Sequence, residues 1–430
     1  MSANGHETKR GTNERFRSRS LGEIESAGSR HMWARSAVHV DGSLVVTGTW
    51  DGTVTAYDRR SLEVRWTTSR PDHPARIETL QRPNGTSVIV GGRGQRGRVA
   101  AYDADSGTER WRYDAADEVG DPVGTGVFVL PHVVALEADR DGRLYAVARR
   151  YERDGETRRW ESAVYAFAPD GTVRWRYETD ASPIAIDLDT DAGATGADRV
   201  AVAYNRCPGR HDNGLVVLEA ETGDPVWTWD PGTDGERRVG DVSVDGETAA
   251  VASHGDRRGY LLGPGGAERW RIDLGVETDV GEETLYAYPN HASLSGGIVA
   301  FATGNTYAVD RRETAGRHPN EHRLVAVDAE TGEARWGADL GGFARELAVD
   351  ADTGTIGVPC AQHFRDRDTG THAVRWFDRE SGDGGHTSLE GIATAAAVDD
   401  GTIAVIEEPI TYHDADELEG EYAVLVGSIG

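Results

Sequence analysis

One short pattern recurs along the 430-residue chain, and each copy ends in a tryptophan. The clearest copies run from Val99 to Trp111 and from Leu324 to Trp336. The full set of anchors is Trp66, Trp111, Trp175, Trp227, Trp270 and Trp336. In five of the six a glycine stands four residues before the tryptophan, and in the first copy Leu62 takes its place. Such self-similarity predicts an array of small repeated units rather than unrelated domains.

Each copy is predicted to form a strand, a tight turn and a second strand, because an alternating apolar run meets an Asp/Ser/Thr-Gly cluster. Two more strand-like runs precede each pair, such as Ser87–Val90. Four short antiparallel strands per unit are typical of a propeller blade. The sequence therefore predicts an all-β fold, an eight-bladed β-propeller of four-stranded antiparallel blades, in a single domain over residues 1–430.

The last predicted blade lacks a fourth strand, and the N-terminus offers one. The eighth unit begins near Ile392, and the chain ends after its third strand. The segment Glu14–Arg17 has the same pattern as Glu109–Arg112, with Phe16 in the position of the repeat tryptophan Trp111. We expect residues 1–20 to complete the last blade and residues 30–430 to form the eight blades, since such closure removes exposed sheet edges.

The repeat also resembles a known family. The motif Ala-x-Asp-x-x-[Ser/Thr]-Gly-x-x-x-Trp is complete from Ala101 to Trp111 and from Ala326 to Trp336. It resembles the tryptophan-docking motif of PQQ-repeat propellers, a superfamily that includes quinoprotein dehydrogenases and BamB-type lipoproteins. The resemblance extends from about Leu44 onward and assigns the six anchor tryptophans to packing between blades. It leaves function open, because one fold serves many functions.

The composition restricts the partners and the setting. The formal net charge is −27, and Lys9 is the single lysine among 46 basic residues. This excess of acid argues against a nucleic-acid-binding surface, which needs clustered positive charge. It is typical of extremely halophilic archaea, although an ordinary acidic protein encoded by GC-rich DNA would look similar. Without a membrane-spanning run or an export signal, we expect a soluble, cytoplasmic monomer.

Candidate binding residues lie in the insertions and at the starts of first strands. Five insertions fall between second and third strands, so they share one face, which in repeat proteins is often the binding face. They run from Tyr151 to Glu161, Asn205 to Asn213, Asn305 to His322, Gln362 to His372 and Glu407 to Glu419. The glycine-rich run from Gly91 to Gly97 is expected to be another loop. The candidate binding residues are Arg35, Arg76, His132, Arg149, Arg150, Asn205, Asp241, His254, His291, Arg345, Glu346 and His363. One interpretation is a polar funnel for a ligand with carboxylate, phosphate or quinone oxygens. The other is that loops are polar because they face water.

One acidic segment suggests a metal site. Asp187, Asp189 and Asp191 alternate with other residues, and Asp198 follows. Oxygen ligands at this spacing suit a structural calcium ion, and the segment resembles the Asp-x-Asp-x-Asp-Gly loops of other propellers and of EF-hands. Ala192 replaces the usual glycine, and a chance match is easy in a chain this acidic. Calcium binding and a coincidental spacing both remain open.

The favoured function is a non-enzymatic binding platform for a protein or small-molecule ligand. The alternative implied by the resemblance is a PQQ- and calcium-dependent quinoprotein dehydrogenase. Such enzymes resemble one another in a vicinal cysteine pair, whereas Cys207 and Cys360 are solitary. Hydrolase motifs such as Gly-x-Ser-x-Gly are absent from the sequence. We therefore assign no catalytic residue and expect no PQQ.

Overall fold

The computed structural model describes residues 16–25, 27–28, 36–82, 85–189, 199–311, 314–361, 371–412 and 417–429. Nearly all of the regular structure in these residues is β-strand. The strands form successive antiparallel units of four, which we number 1 to 8 in chain order. Units 2 and 3 are joined by the pairing of His132 with Arg93, and unit 6 has a fifth strand. The expectation of an all-β chain of four-stranded antiparallel sheets is confirmed.

The first four units follow one another along the chain, after two short N-terminal strands, β1 (Phe16–Ser20) and β2 (Ala27–Gly28). Unit 1 contains β3 (Ala37–Asp41), β4 (Leu44–Gly48), β5 (Thr53–Asp58) and β6 (Val64–Ser69). Unit 2 contains β7 (His73–Leu80), β8 (Ser87–Arg93), β9 (Arg98–Asp103) and β10 (Glu109–Asp114). Unit 3 contains β11 (His132–Ala138), β12 (Leu144–Asp154), β13 (Thr157–Phe167) and β14 (Val173–Thr179). Unit 4 contains β15 (Ser182–Asp189), β16 (Arg199–Arg206), β17 (Leu215–Glu219) and β18 (Pro225–Trp229).

The remaining units repeat the arrangement. Unit 5 contains β19 (Val239–Asp245), β20 (Thr248–Ser253), β21 (Arg258–Leu262) and β22 (Glu268–Asp273). Unit 6 contains an extra strand, β23 (Thr278–Val280), before β24 (Glu283–Ser295), β25 (Ile298–Ala308), β26 (Arg323–Asp328) and β27 (Ala334–Asp339). Unit 7 contains β28 (Ala348–Asp350), β29 (Thr355–Cys360), β30 (Ala373–Asp378) and β31 (Gly384–Ser388). Unit 8 contains β32 (Ile392–Asp399), β33 (Thr402–Glu408) and β35 (Ala423–Ser428), and β34 (Ile410–Thr411) pairs with β2 in parallel.

The helical segments are short, and two of the three described ones lie between units. The α-helix α1 (Ala116–Val119) follows unit 2, and a 3-10 turn (Val127–Val129) precedes unit 3. A second 3-10 turn (Pro264–Gly266) connects the last two strands of unit 5. Within the part of the chain that the structure describes, no helix is long and apolar enough to cross a membrane.

Position within a sheet decides how each strand is patterned. Second strands such as β8 are buried along their whole length, because both of their faces pack against neighbouring sheets. Fourth strands such as β10 alternate charged and half-buried residues, because one edge faces water. The buried β-branched and aromatic residues also suit the pleated backbone. The apolar runs and the polar tryptophan-bearing runs of the sequence thus correspond to inner and outer strands.

The apolar core is divided among the interfaces between sheets. One cluster joins Val46 of unit 1 to Val88 of unit 2, and similar clusters join each later unit to the next. A further cluster joins Val40 and Val45 of unit 1 to Ile406 and Val424 of unit 8. Each sheet therefore buries both faces only when two neighbours are present.

The anchor tryptophans lie at these interfaces. For five of them the indole N–H donates to a backbone carbonyl in the turn of the following unit: Trp66 to Ala104 (2.8 Å), Trp111 to Pro169 (3.2 Å), Trp175 to Ala220 (2.8 Å), Trp270 to Ala329 (2.9 Å) and Trp336 to Arg379 (2.9 Å). The sixth, Trp227, lies against Gly266 of unit 5. Each indole thus connects its own sheet to the next one.

The repeat glycines serve these contacts as well as the turn. A Cβ added to Gly223 would lie 2.5 Å from the ring of Trp175, closer than real Cβ atoms approach. Gly223 also has φ of 77°, a backbone conformation that L side chains rarely adopt. The glycine that precedes each anchor therefore both closes its own turn and receives the indole of the preceding unit.

Two segments differ from the sequence-based interpretation. Tyr151–Glu161, expected as a loop, extends the β12–β13 hairpin, with Asp154 paired to Thr157 across a tight turn. The glycine-rich run from Gly91, also expected as a loop, is strand as far as Arg93. Both segments have partners for their backbone groups in the adjacent strand, and this pairing outweighs their polar or glycine-rich composition.

The fourth strand of unit 8 comes from the N-terminus. β1 pairs with β35 in antiparallel register, from Phe16 opposite Gly427 to Ser20 opposite Ala423. The Phe16 ring lies 5.7 Å from the ring of Trp376 in unit 7, between centroids. Phe16 thus packs towards the preceding unit, whereas the anchor tryptophans face the following one. On the side of unit 1, Arg19 Nη1 donates to Leu62 O at 2.6 Å.

A pair of glycine substitutions tests whether indole docking stabilises the fold. Gly223→Ala and Gly246→Ala both introduce a side chain at positive φ, with an expected strain of about 1–2 kcal/mol each. Only the alanine at position 223 meets an indole, whereas a Cβ at Gly246 meets nothing within 4 Å. We expect Gly223→Ala to lose a further ~1–3 kcal/mol of unfolding free energy in chemical denaturation. Equal losses for the two variants would contradict indole docking as a stabilising contact.

Candidate functional site

The first strands of successive units lie side by side and form what we call the inner surface: β3, β7, β11, β15, β19, β24, β28 and β32. Most first strands leave one edge without a partner, whereas β24 pairs with β23 on that edge and β11 pairs with β8 at His132. The loops between second and third strands and the connections between units lie at the end where first strands begin. We call this the looped end, and the described parts of the insertions lie there.

Acidic side chains join the first strands of neighbouring units. Asp187 Oδ2 accepts a hydrogen bond from the N–H of Val244 at 2.7 Å, and Asp241 Oδ2 accepts one from Ala292 at 3.1 Å. In unit 7, Glu346 Oε1 accepts one from the N–H of Ala396 in unit 8 at 2.8 Å. These acceptors satisfy N–H groups on open strand edges. Asp241 and Glu346, two of the candidate binding residues, therefore have a structural partner.

Two further acids of the inner surface were missed by the sequence analysis. Burial raises the pKa of Glu137 well above its usual range, and the nearby charges of Glu78 and Asp187 raise it further. Burial also raises the pKa of Glu78, which the charge of His39 opposes. The pKa of Asp187 rises to about 6 for the same reason, against the hydrogen bond from Val244. A lone acid in an apolar first strand, as in Val133–Ala138, was the available signal.

Basic residues gather nearer the looped end. His132, the first residue of β11, is paired in register with Arg149 of β12 on one side and with Arg93 of β8 on the other. Residues directly opposite one another in antiparallel strands project from the same face. Arg93, His132 and Arg149 therefore form one row across three neighbouring strands. Arg149 Nη1 also donates to Pro183 O at 2.9 Å, and so reaches unit 4.

Arg76 and Arg345 extend this row around the inner surface. The positive charge of Arg76 acts on His132, Arg149 and Arg345, so these groups are close in space. The Arg76 side chain is exposed, whereas Arg93 is buried, with 6% of its surface exposed. We call Arg76, Arg93, Arg149 and Arg345 the arginine cluster. Arg93 was missed by the sequence analysis, although it lies on a second strand, β8, just as Arg149 lies on the second strand β12.

The arginine cluster perturbs its own members. Burial, together with the charges of Arg93, Arg149 and Arg76, lowers the pKa of His132 well below its usual value. Burial and a neighbouring positive charge lower the pKa of Arg93 and of Arg149 to about 10. At neutral pH the guanidinium groups are therefore charged and the imidazole is neutral.

Arg150, in contrast, belongs to a loop contact. Its Nε donates to Val119 O of α1 at 2.7 Å, and its Nη1 lies 3.1 Å from Glu152 Oε2. Adjacent residues of a strand point to opposite faces, so Arg149 and Arg150 cannot share one site. Among the candidates, Arg150 holds the segment between units 2 and 3.

Other candidates form a polar chain between units 4 and 7. Asn205 Nδ2 donates to His254 Nδ1 at 2.7 Å, and His254 Nε2 lies 3.2 Å from Asn290 Oδ1. His291 Nδ1 lies 3.5 Å from Asp241 Oδ2, and its Nε2 donates to Ala344 O at 3.2 Å. Burial lowers the pKa of His254 to about 3, so this imidazole stays neutral and connects the two amides.

Four candidates lie outside the described residues: Arg35, His363, Asp191 and Asp198. Of the proposed calcium ligands, Asp187 and Asp189 belong to strand β15 rather than to a loop. Among the described residues, no three His, Cys, Asp or Glu side chains gather in a way that could hold a metal ion. The calcium site stays a prediction.

A cleft of about 560 Å³ lies between units 5 and 6 at the end opposite the looped end. Its walls carry both signs of charge, for example Arg269 and Arg335 against Asp328 and Glu330. Arg335 is paired with Asp328 across the β26–β27 turn. The cleft is formed by hairpin turns and lies far from the arginine cluster along the strands.

Comparison with known proteins agrees with this geometry. A PQQ-repeat family model described as outer membrane protein assembly factor BamB matches residues 13–161 and 257–413. The quinohemoprotein alcohol dehydrogenase ADH IIB of Pseudomonas putida is 25% identical over 238 residues, which cover 51% of this chain and 30% of that protein. The chain therefore spans less than a third of the length of this relative.

Solved structures show the same fold at low sequence identity. BamB from Moraxella catarrhalis is 15% identical with a TM-score of 0.55, over 95% of this chain and 99% of that one. Quinohemoprotein alcohol dehydrogenase from Comamonas testosteroni is 12% identical with a TM-score of 0.60, over 96% and 76%. Because the family model matches more than half of the residues, the chain belongs to the PQQ-repeat β-propeller family described by BamB.

Proposed function

We propose that the eight units are the blades of one closed propeller, a single domain over residues 1–430 in which the segment 1–20 provides the closing strand. The pairing of β1 with β35 supports closure within the last sheet. The apolar cluster that joins Val40 of unit 1 to Val424 of unit 8 supports contact between the first and last blades. A ring closed in this way has no exposed first or last sheet.

Two truncations test the closure. Removal of residues 1–20 deletes the strand from Phe16 to Ser20, exposes the edge of β35 and unpacks Phe16. We expect a loss of about 2 kcal/mol or more of unfolding free energy, together with aggregation through the open edge. Removal of residues 1–15 alone keeps the strand and serves as the control. If the two truncated proteins have the same midpoint of thermal denaturation, the assignment of residues 16–20 as the closing strand is wrong.

We propose that the protein is a non-enzymatic platform that binds a protein or small-molecule ligand at its looped end. The observation that carries this proposal is the gathering of Arg76, His132, Arg149 and Arg345 from three units beside the looped end. Polar groups that converge at one mouth of a propeller are suited to hold a ligand in a fixed orientation. The extended β12–β13 hairpin adds a projecting surface at the same end.

A quinoprotein dehydrogenase is the second candidate, favoured by the likeness to quinohemoprotein alcohol dehydrogenases. The residues present fit it poorly. Cys207 and Cys360 are buried in units 4 and 7 and are not neighbours in sequence. Among the described residues, no acidic or imidazole group of three side chains is arranged to hold the calcium ion that the resemblance implies. We derive no catalytic step for this chain.

Shortening the β12–β13 hairpin tests the platform. Tyr151 and Trp160 face each other, so replacing residues 152–159 by Asn-Gly leaves their pairing and the register of both strands unchanged. The matched control keeps the hairpin and carries Arg335→Gln at the opposite end. We expect a partner that co-purifies near stoichiometrically in molar potassium chloride to be lost only from the shortened protein.

The same purification separates the two functions. The platform predicts no PQQ absorbance and no dye reduction with alcohols after addition of PQQ and calcium. Dye reduction that depends on PQQ would establish the dehydrogenase instead. A partner that is retained equally by the shortened protein and by the control would show that the hairpin is not part of the binding surface.

A further inference from the structure

The row formed by Arg93, His132 and Arg149 places two guanidinium groups on either side of a neutral imidazole. Burial of positive charge without a partner costs free energy. Random placement of charge does not explain the row, because acidic residues far outnumber basic ones in this chain. A row of this kind is therefore expected to have an anionic counterpart.

That counterpart is missing among the residues that the structure describes. Elsewhere arginines pair with carboxylates, as Arg98 does with Asp114 at 2.9 Å. Within the described ranges, none of the four guanidinium groups of the arginine cluster lies within 4.0 Å of a carboxylate oxygen. Glu346, next to Arg345 in sequence, already accepts the N–H of Ala396. The charges of Glu346 and Glu408 offset part of the positive charge at Arg345, without a direct ion pair to its guanidinium group.

Nitrogen atoms of the cluster and of the neighbouring His132 are also left without partners. Arg93 Nε, Arg345 Nε and His132 Nδ1 are buried and have no hydrogen-bond partner among the residues that the structure describes. Arg93, more than nine-tenths buried, lies with its guanidinium carbon 5.5 Å from the centroid of the Phe128 ring. Buried polar atoms in native proteins are normally paired. Three unpaired nitrogens beside guanidinium groups that have no direct carboxylate partner favour a bound anion.

The lowered pKa values agree with this interpretation. Burial and neighbouring positive charge lower the pKa of Arg345 to about 10, as they do for Arg93 and Arg149, against the opposing effect of Glu346. Each guanidinium is thus less stable in its charged form than in water. An anion at the centre of the cluster would reverse this effect.

We propose that the arginine cluster binds a phosphate group, either free or in a small phosphate ester. The donors come from units 2, 3 and 7, so they approach the anion from several directions around the inner surface. A tetrahedral dianion offers acceptor oxygens in all of these directions, whereas a planar carboxylate suits one fork. This inference rests on the proposed binding function and names its ligand class.

Titration calorimetry on the full-length chain tests the proposal. The probes are inorganic phosphate, glycerol phosphate and citrate, all at one concentration of potassium chloride so that chloride competes equally. Arg76→Gln is the main variant, because Arg76 is exposed and its side chain bonds only to Ala75 O. We expect the affinity for phosphate and for the ester to fall about tenfold or more, as expected for the loss of a charge-assisted hydrogen bond.

A second variant and a control complete the design. Arg149→Gln should weaken phosphate binding to a similar extent, and Arg335→Gln, at the opposite end, should leave it unchanged. A higher affinity for the ester than for free phosphate would identify an esterified ligand, and the reverse would identify the free anion. Tighter binding of citrate than of either, no binding of phosphate to the unmodified protein, or equal losses in Arg335→Gln would overturn the proposal. A partner still lost on hairpin shortening would then show that the platform function survives without a phosphate site.

Discussion

The structure depends on the contact between one sheet's indole and the next sheet's turn. No sheet of this chain can bury both faces alone, and the apolar clusters all span two units. The tryptophan contributes a large apolar surface and one N–H donor, and that donor reaches a carbonyl of the following turn, as from Trp175 to Ala220. The contact requires a residue without a side chain at Gly223. Packing and turn geometry therefore constrain the same short motif, which explains its strict spacing.

A second constraint acts on the inner surface. First strands have an open edge, and acids such as Asp187 and Glu346 satisfy the N–H groups of the next unit. Part of the polar character of the inner surface is therefore structural. The arginine cluster is different, since Arg93 Nε and Arg345 Nε have no partner among the described residues, although Arg149 also donates to Pro183 O. The proposed function follows from this difference rather than from the number of polar side chains.

The sequence predicted the fold more fully than the site. The tryptophan spacing identified the repeated sheets because the motif is local. Even the exception was informative, since Leu62 adopts φ of 56° where the other copies have glycine. Arg93 was missed because its glycine neighbours suggested a loop, and Glu137 because it lies inside an apolar strand. Which of the twelve candidates lie near one another depends on how distant units are arranged, such as those that carry Arg76 and Arg345, and no local pattern encodes that arrangement.

The central claim is that the looped end of this propeller binds an anionic ligand without performing quinone chemistry. Native mass spectrometry of the protein, purified from a halophilic host in molar potassium chloride, tests it most directly. The account predicts the mass of the chain with a small phosphate-bearing adduct that Arg76→Gln removes. A stoichiometric adduct with the mass of PQQ would contradict the account and make the inner surface the active site of a quinoprotein.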